Sequence, residues 1–244
     1  MNVICASSRG KDLAEYLPSG TSLDFTSGAT LSLLTSQAKD FLPPPYGLSR
    51  RYHVYFLCGV PDITRLVKDK SEHYRECVYD EDPEITKDRY ASELRKCQQE
   101  IKASGALPIF CTIARVNLEK YNHHTLHKHY TSHLKLQDQY SDMQKNLNQA
   151  IDSINHIIYT LNKSNGVSTP FLHQDITHRR GKKHKYFITR WELLYDGLHP
   201  ANPLLPIWAN TLSKVISKNE QIEDTEDETD SRPWLPSSKR PRVE

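Results

Sequence analysis

Apolar residues recur along this chain in short unbroken runs separated by longer stretches of three-and-four spacing. Residues 2–6, NVICA, are apolar and β-rich; they break at Ser7-Ser8-Arg9-Gly10 and pass into the helix-compatible KDLAEYL. In ATLSLLTSQAKDFL, Leu31, Leu34, Ala38 and Leu42 fall on one helical face, and Pro43-Pro44-Pro45 stops the helix. Residues 52–60, YHVYFLCGV, form a nearly continuous apolar run, as expected of a strand covered on both faces. PEITKDRYASELRKCQQEIKASG then carries Tyr90, Leu94, Cys97 and Ile101 along an amphipathic helix that Ser104-Gly105 ends, and a strand follows at 106–114. A long stripe through Tyr140, Met143, Leu147, Ala150, Ile154 and Ile157 predicts a helix over 136–161. A weaker strand is expected at 167–172, and a last helix from near Asn202 with Leu205, Trp208, Leu212 and Val215 inward.

Strand and helix thus alternate from residue 2 to about 218. This predicts a flavodoxin-like, three-layer α/β/α sandwich with a central parallel sheet, where ligands gather at the carboxyl ends of the strands. Residues 1–218 make this domain. The composition changes after Lys218: seven acidic residues lie between Glu220 and Asp230, and a Pro/Ser stretch follows. Residues 219–244 are therefore expected to be a disordered acidic tail.

Composition narrows the function classes only modestly. With 244 residues and 37% hydrophobic content the chain can bury one sizeable core, and a formal charge of +2 points to no nucleic-acid or membrane partner by itself. Cys5, Cys58, Cys77, Cys97 and Cys111 are an odd set without CxxC pairs, which favours a reducing compartment. The amino-terminal residues carry no basic segment before an apolar stretch, and no window approaches the ~20 apolar residues of a membrane span, so the chain reads as soluble and intracellular.

A serine just past the first strand of a parallel sheet sits at the carboxyl edge, beside the N–H groups and positive dipole end of the following helix's amino terminus. Ser7 takes that place. As a nucleophile it needs a histidine base and a carboxylate to orient the imidazole, and Asp196-Gly197-Leu198-His199-Pro200 offers both from one glycine-containing turn. Ser7 and Ser8 equally suit a helix N-cap, and Asp-Gly with a following proline equally suits a plain tight loop.

The ordered blocks resemble those of the SGNH (GDSL-type) hydrolases. VICAS followed by a helix is similar to the family's first block, Thr26-Ser27-Gly28-Ala29-Thr30 to the second, FLCGVPDIT to the GxND block, and DGLHP followed by PLLPIWANTL to the fifth. The resemblance implies an esterase or deacetylase acting on a small ester or acetylated substrate without a cofactor or metal. It implies Ser7 as nucleophile, His199 as base, Asp196 as its orienter, and the Ser7 and Gly28 N–H groups as oxyanion donors. Two departures stand out: Cys5-Ala6 replaces the Gly-Asp before the serine, and Pro61 replaces the asparagine of GxND. Proline has neither a side-chain amide nor an N–H, and losing one oxyanion donor typically costs ~10²–10³ in rate, roughly 3–4 kcal/mol.

Other clusters suggest a second class of function. His123, His124, His127, His129 and His133 crowd one tract, with spacings of four that can hold zinc or copper on a helix, although an exposed loop without a metal is the expectation. Arg179, Arg180, Lys182, Lys183 and Lys185 form a basic loop expected to overhang the site, suited to an anionic substrate or to nucleic acid. Lys239, Arg240 and Arg242 in SKRPR resemble a nuclear-import motif read by an import receptor, which favours a nuclear location. The combination looks like a protein encoded by a virus or mobile element. Two readings therefore follow: an SGNH-like serine hydrolase weakened by Pro61, or a catalytically degenerate SGNH fold used as a nuclear binding module.

Overall fold

A computed structural model describes residues 1–42, 52–68, 75–127, 139–180 and 186–230. Its centre is a four-stranded sheet formed by β1 (Asn2–Ala6), β2 (Thr21–Phe25), β3 (Tyr52–Leu57) and β6 (Ala106–Phe110), between which come β4 (Arg65–Lys68) and β5 (Arg75–Val78). The order in the sheet is β2-β1-β3-β6 and every pairing is parallel, with Ala6 opposite Phe25 on one side and Leu57 on the other. Because β1 and β3 lie inside the sheet, their residues are buried almost throughout, and this produces the continuous apolar runs.

Side chains alternate between the two faces. Val3, Cys5, Val54, Phe56 and Phe110 pack under α1 (Leu31–Phe41), α3 (Pro83–Ala103) and α5 (Tyr140–Ser164). Ile4, Ala6, Tyr55, Leu57 and Ile109 face the opposite layer, built on α7 (Leu205–Asp230) through Trp208, Leu212 and Ile216. The short α2 (Val60–Ile63) follows β3, α4 (Leu118–His127) follows β6, and α6 (Leu172–Asp175) follows α5. This is the expected three-layer α/β/α sandwich.

Several elements depart from the sequence reading, each for a local reason. KDLAEYL is not an α-helix: two 3-10 turns, Ser8–Gly10 and Ala14–Tyr16, flank Asp12, whose φ of +67° interrupts helical progress. No strand forms at 167–172. Pro170 has no N–H to give a ladder, although its carbonyl accepts from Thr112 N–H at 3.0 Å. Side-chain amides of α5 serve the positions on either side: Asn162 bonds both the N–H (3.0 Å) and the carbonyl (2.8 Å) of Phe110 at the end of β6, and Asn155 does the same for Ile113 beyond it (2.7 and 2.9 Å). β2 was hidden because it is a half-exposed edge strand without an apolar run. The antiparallel pairs β4–β5 and β7 (Thr177–Arg180) with β8 (Tyr186–Thr189) were also hidden, because four-residue strands are too short to carry a periodic signal.

The boundary after Lys218 moves as well. α7 continues to Asp230, and Asn219 is buried, accepting from Ser168 N–H (2.8 Å) and donating to Tyr55 Oη (3.3 Å). A nucleated helix propagates at small cost per residue, so acidic content does not end it at once. Residues 231–244, with Lys239, Arg240 and Arg242, lie outside the described residues. Among the described residues no helix is long and apolar enough to cross a membrane.

Candidate active site

At the carboxyl end of β1 the sheet pairing runs one residue further than the strand: Ser7 N–H donates to Leu57 O at 2.9 Å. Ser7 is thereby held in the plane of the sheet, only 2% exposed, and its side chain makes no capping bond to the turn it precedes. Ser8 is the first residue to leave the sheet, and its hydroxyl stands in the cleft above the strand ends. The turn folds tightly back on β1 because residue 10 is glycine; a Cβ there would meet the Ala6 Cβ at 2.2 Å.

The segment 196–199 arrives from the opposite side as one compact loop. Asp196 Oδ1 accepts from the N–H groups of Leu198 (2.9 Å) and His199 (2.7 Å), and Asp196 Oδ2 takes the Nδ1–H of His199 at 2.7 Å. The other ring nitrogen, Nε2, lies 3.0 Å from Ser8 Oγ. Burial opposes ionisation of Asp196, but the bonds from His199 and Leu198 outweigh it and bring the carboxyl down to about 2. With the carboxylate fixed on Nδ1–H, Nε2 is left to accept the serine proton. Gly197 has a φ of +92°, and a Cβ on it would lie 2.6 Å from Asn117 O, so the loop can dock on the start of α4 only with glycine at this position. Asn117 N–H to Gly197 O (2.8 Å) and Lys120 Nζ to Leu194 O (2.6 Å) complete that docking.

The sequence-predicted residues therefore meet with one substitution. Asp196 and His199 are together as expected, while Ser8, not Ser7, faces the imidazole. The strand ends at Ala6 as expected, but Ser7 continues the sheet bonding by one N–H, so the first side chain free to enter the cleft is that of Ser8. Gly28 follows β2 in a tight turn closed by Ala29 N–H to Thr26 O (3.1 Å), and its neighbour Ser27 lines the same cleft as Ser8. Pro61 opens α2, and the adjacent Asp62 turns to the amino end of α1, accepting from Leu31 N–H at 2.9 and 3.2 Å. Burial of Asp62 pushes its carboxyl up to about 6 despite that bond.

Sequence reasoning missed Arg9, Tyr121 and Tyr195, and placed His124 in the histidine tract and not at the cleft. The Arg9 guanidinium is buried beneath the site and donates to Leu198 O (3.0 Å), Ala114 O (2.8 Å) and Arg115 O (3.4 Å). Burial lowers its pKa to about 9 while Asp196 opposes the shift, so it is charged at neutral pH. Tyr121 packs its ring 6.3 Å from that of His199, and His124 meets Tyr195 edge to face at 4.8 Å on the cleft wall. The aromatic residues of α4 carried a signal in their 121/124 spacing, but the histidine tract masked it. Nothing in the sequence marks Arg9 as buried.

The histidine tract holds His123, His124 and His127 on α4; His123 lies 3.9 Å from Glu119, and His129 and His133 lie outside the described residues. Among the described residues no group of three His, Cys, Asp or Glu side chains could hold a metal ion. The basic loop is a hairpin at its base: Arg179 and Arg180 lie on β7, opposite Phe187 and Tyr186, and Lys182 and Lys183 lie outside the described residues. All five cysteines are buried free thiols, and burial raises the pKa of each, which leaves them protonated and away from the cleft.

The overall fold is similar to that of solved structures. A provisionally assigned acylhydrolase from Bacteroides fragilis matches with a TM-score of 0.56 at 15% identity, over 88% of this chain and 86% of its own. A GDSL-like lipase from Bacteroides thetaiotaomicron matches with a TM-score of 0.52 at 14% identity, over 91% of this chain and 87% of its own. The chain has the SGNH-hydrolase fold. No family model and no curated protein matches the sequence.

Proposed function

We propose that this chain is an SGNH-type serine hydrolase that cleaves a short acyl ester, with Ser8 as nucleophile, His199 as general base and acid, and Asp196 as the group that orients the imidazole. The observation that carries this reading is the continuous relay from Asp196 Oδ2 through His199 to Ser8 Oγ, at 2.7 and 3.0 Å. Such a relay is the minimal equipment for acyl transfer through a hydroxyl.

In the first half of the reaction Ser8 Oγ attacks the acyl carbonyl while His199 Nε2 takes its proton. Asp196 stabilises the resulting imidazolium, and the N–H groups of Ser8 and Gly28 are the proposed donors to the oxyanion. Collapse of the tetrahedral intermediate breaks the ester C–O bond; His199 returns the proton to the departing alkoxide, and Ser8 is left acylated. Water then repeats the sequence, with His199 as base, and releases the acid. Pro61 gives the oxyanion no third donor, so the rate is set below that of a site with an asparagine there by ~10²–10³.

The cleft has a volume of about 790 Å³ and is open to solvent. Its walls are polar and aromatic, with Lys11, Asp12, Ser27, Tyr195 and Asn202 around Ser8. That lining suits a small acyl group on a polar alcohol better than a long aliphatic chain, which needs an apolar channel. Purified protein is therefore expected to hydrolyse p-nitrophenyl acetate and to lose this activity in Ser8→Ala. Equal or faster turnover of the octanoate ester would reject the short-acyl assignment, and full activity in Ser8→Ala would reject the nucleophile.

One observation, Pro61, favours a second reading in which the cleft binds an acylated partner without turning it over. Under that reading the wild type shows saturable binding of an ester with no release of alcohol.

A further inference from the structure

The Ser8–His199 contact joins two loops from opposite ends of the chain, and the buried side chain of Arg9 also links them. Arg9 directly follows Ser8 in the 3-10 turn, and its Nε donates to the carbonyl of Leu198, the residue immediately before His199. The far end of the same guanidinium is fixed by Ala114 O and Arg115 O, in the segment after β6. Other anchors of the 194–200 loop, through Asn117 and Lys120, tie it to α4 and not to the serine turn.

The chemistry of this position is more demanding than packing requires. A buried guanidinium carries a desolvation cost that an apolar side chain would avoid. Arginine is also the one side chain whose rigid planar fork can reach three carbonyls in fixed relative directions; lysine presents a single mobile ammonium. Its nearest opposing charge, Asp196, belongs to the relay itself.

We propose that Arg9 is a positioning residue that sets the Ser8 Oγ to His199 Nε2 distance by fixing the Leu198 carbonyl relative to the serine turn. The inference rests on the hydrolase reading for its kinetic consequence but not for its structural one. Misplacement of reacting groups by about 1 Å costs on the order of 10² in rate, so Arg9→Met is expected to lower kcat on p-nitrophenyl acetate by roughly that factor with KM nearly unchanged. Arg9→Lys, which keeps the charge and loses the fork, is expected to be impaired in the same way.

The test pairs these kinetics with circular dichroism of the folded variants and with the imidazole ¹⁵N shifts of His199, which report its tautomer without any turnover. The wild type should hold His199 as the single Nδ1–H form at pH 8, and Arg9→Met should show a mixture of tautomers in a folded protein. If the wild type proves inactive on esters, the hydrolase reading fails while the ¹⁵N comparison still decides the role of Arg9. A folded Arg9→Met with the wild-type tautomer and wild-type kcat overturns the proposal. Should Arg9→Met fail to fold, Arg9→Lys carries the same readings with the same criteria.

Discussion

His199 Nε2 reaches Ser8 Oγ at 3.0 Å, whereas Ser7, its neighbour, gives its N–H to Leu57 and is buried in the sheet. One residue of strand register decides which of two adjacent serines can act, because side chains along an extended chain alternate between opposite directions.

Pro61 makes a gain of activity the informative experiment. Under the proposed reading, asparagine at position 61, the second residue of the short helix α2, would supply the side-chain amide that the resemblance to the GxND block implies. Pro61→Asn is expected to raise kcat on p-nitrophenyl acetate by up to ~10²-fold, with KM changed little, as measured by steady-state kinetics. An unchanged kcat in a folded variant would show that the oxyanion is served by other groups.

Asp196 links the site to acid stability. Its carboxyl titrates at about 2, below the ordinary value of 3.8, so its ionised form stabilises the folded chain above pH 4 and this contribution is lost as pH falls towards 2. Denaturant titrations of Asp196→Asn should lack that acid limb, which amounts to about 2 kcal/mol. Asp62 has the opposite sign: raised to about 6, it favours the folded state when protonated, and that contribution is lost as pH rises from 4 through 6. Comparing wild type and Asp196→Asn between pH 2 and 4 isolates the Asp196 contribution. The same variant should lose esterase activity, since amide for carboxylate costs ~10⁴ in kcat by favouring the wrong tautomer.

Gly197 is the mechanical weak point of the loop. Its positive φ and the 2.6 Å approach that a Cβ would make to Asn117 O mean that Gly197→Ala strains the backbone by roughly 1–3 kcal/mol and lifts the loop from α4. Thermal unfolding should show the loss, and kcat should fall further than stability alone explains, because His199 moves with the loop.

The fold was legible where burial is two-sided. The apolar runs of β1, β3 and β6 and the stripes of α1, α3, α5 and α7 follow directly from packing on both faces of a parallel sheet. The edge strand β2 and the antiparallel pairs β4–β5 and β7–β8 were not legible, since runs of four or five residues are too short to carry a periodic signal. The missing fifth strand depended on Asn155 and Asn162, whose role as edge-pairing amides appears only when α5 is laid beside β6. At the site, Asp196 and His199 were legible because three residues of one turn place them together. Ser8 depended on a single ladder bond from Ser7, and Arg9 on the arrival of carbonyls 105 and 189 residues away in sequence.

Covalent trapping tests the central claim most directly. Wild-type protein treated with a fluorophosphonate should gain one adduct, and mass spectrometry of the digested product should place it on Ser8, with Ser7→Ala still labelled and Ser8→Ala unlabelled. An adduct on Ser7, or no adduct on the folded wild-type protein, would contradict the account.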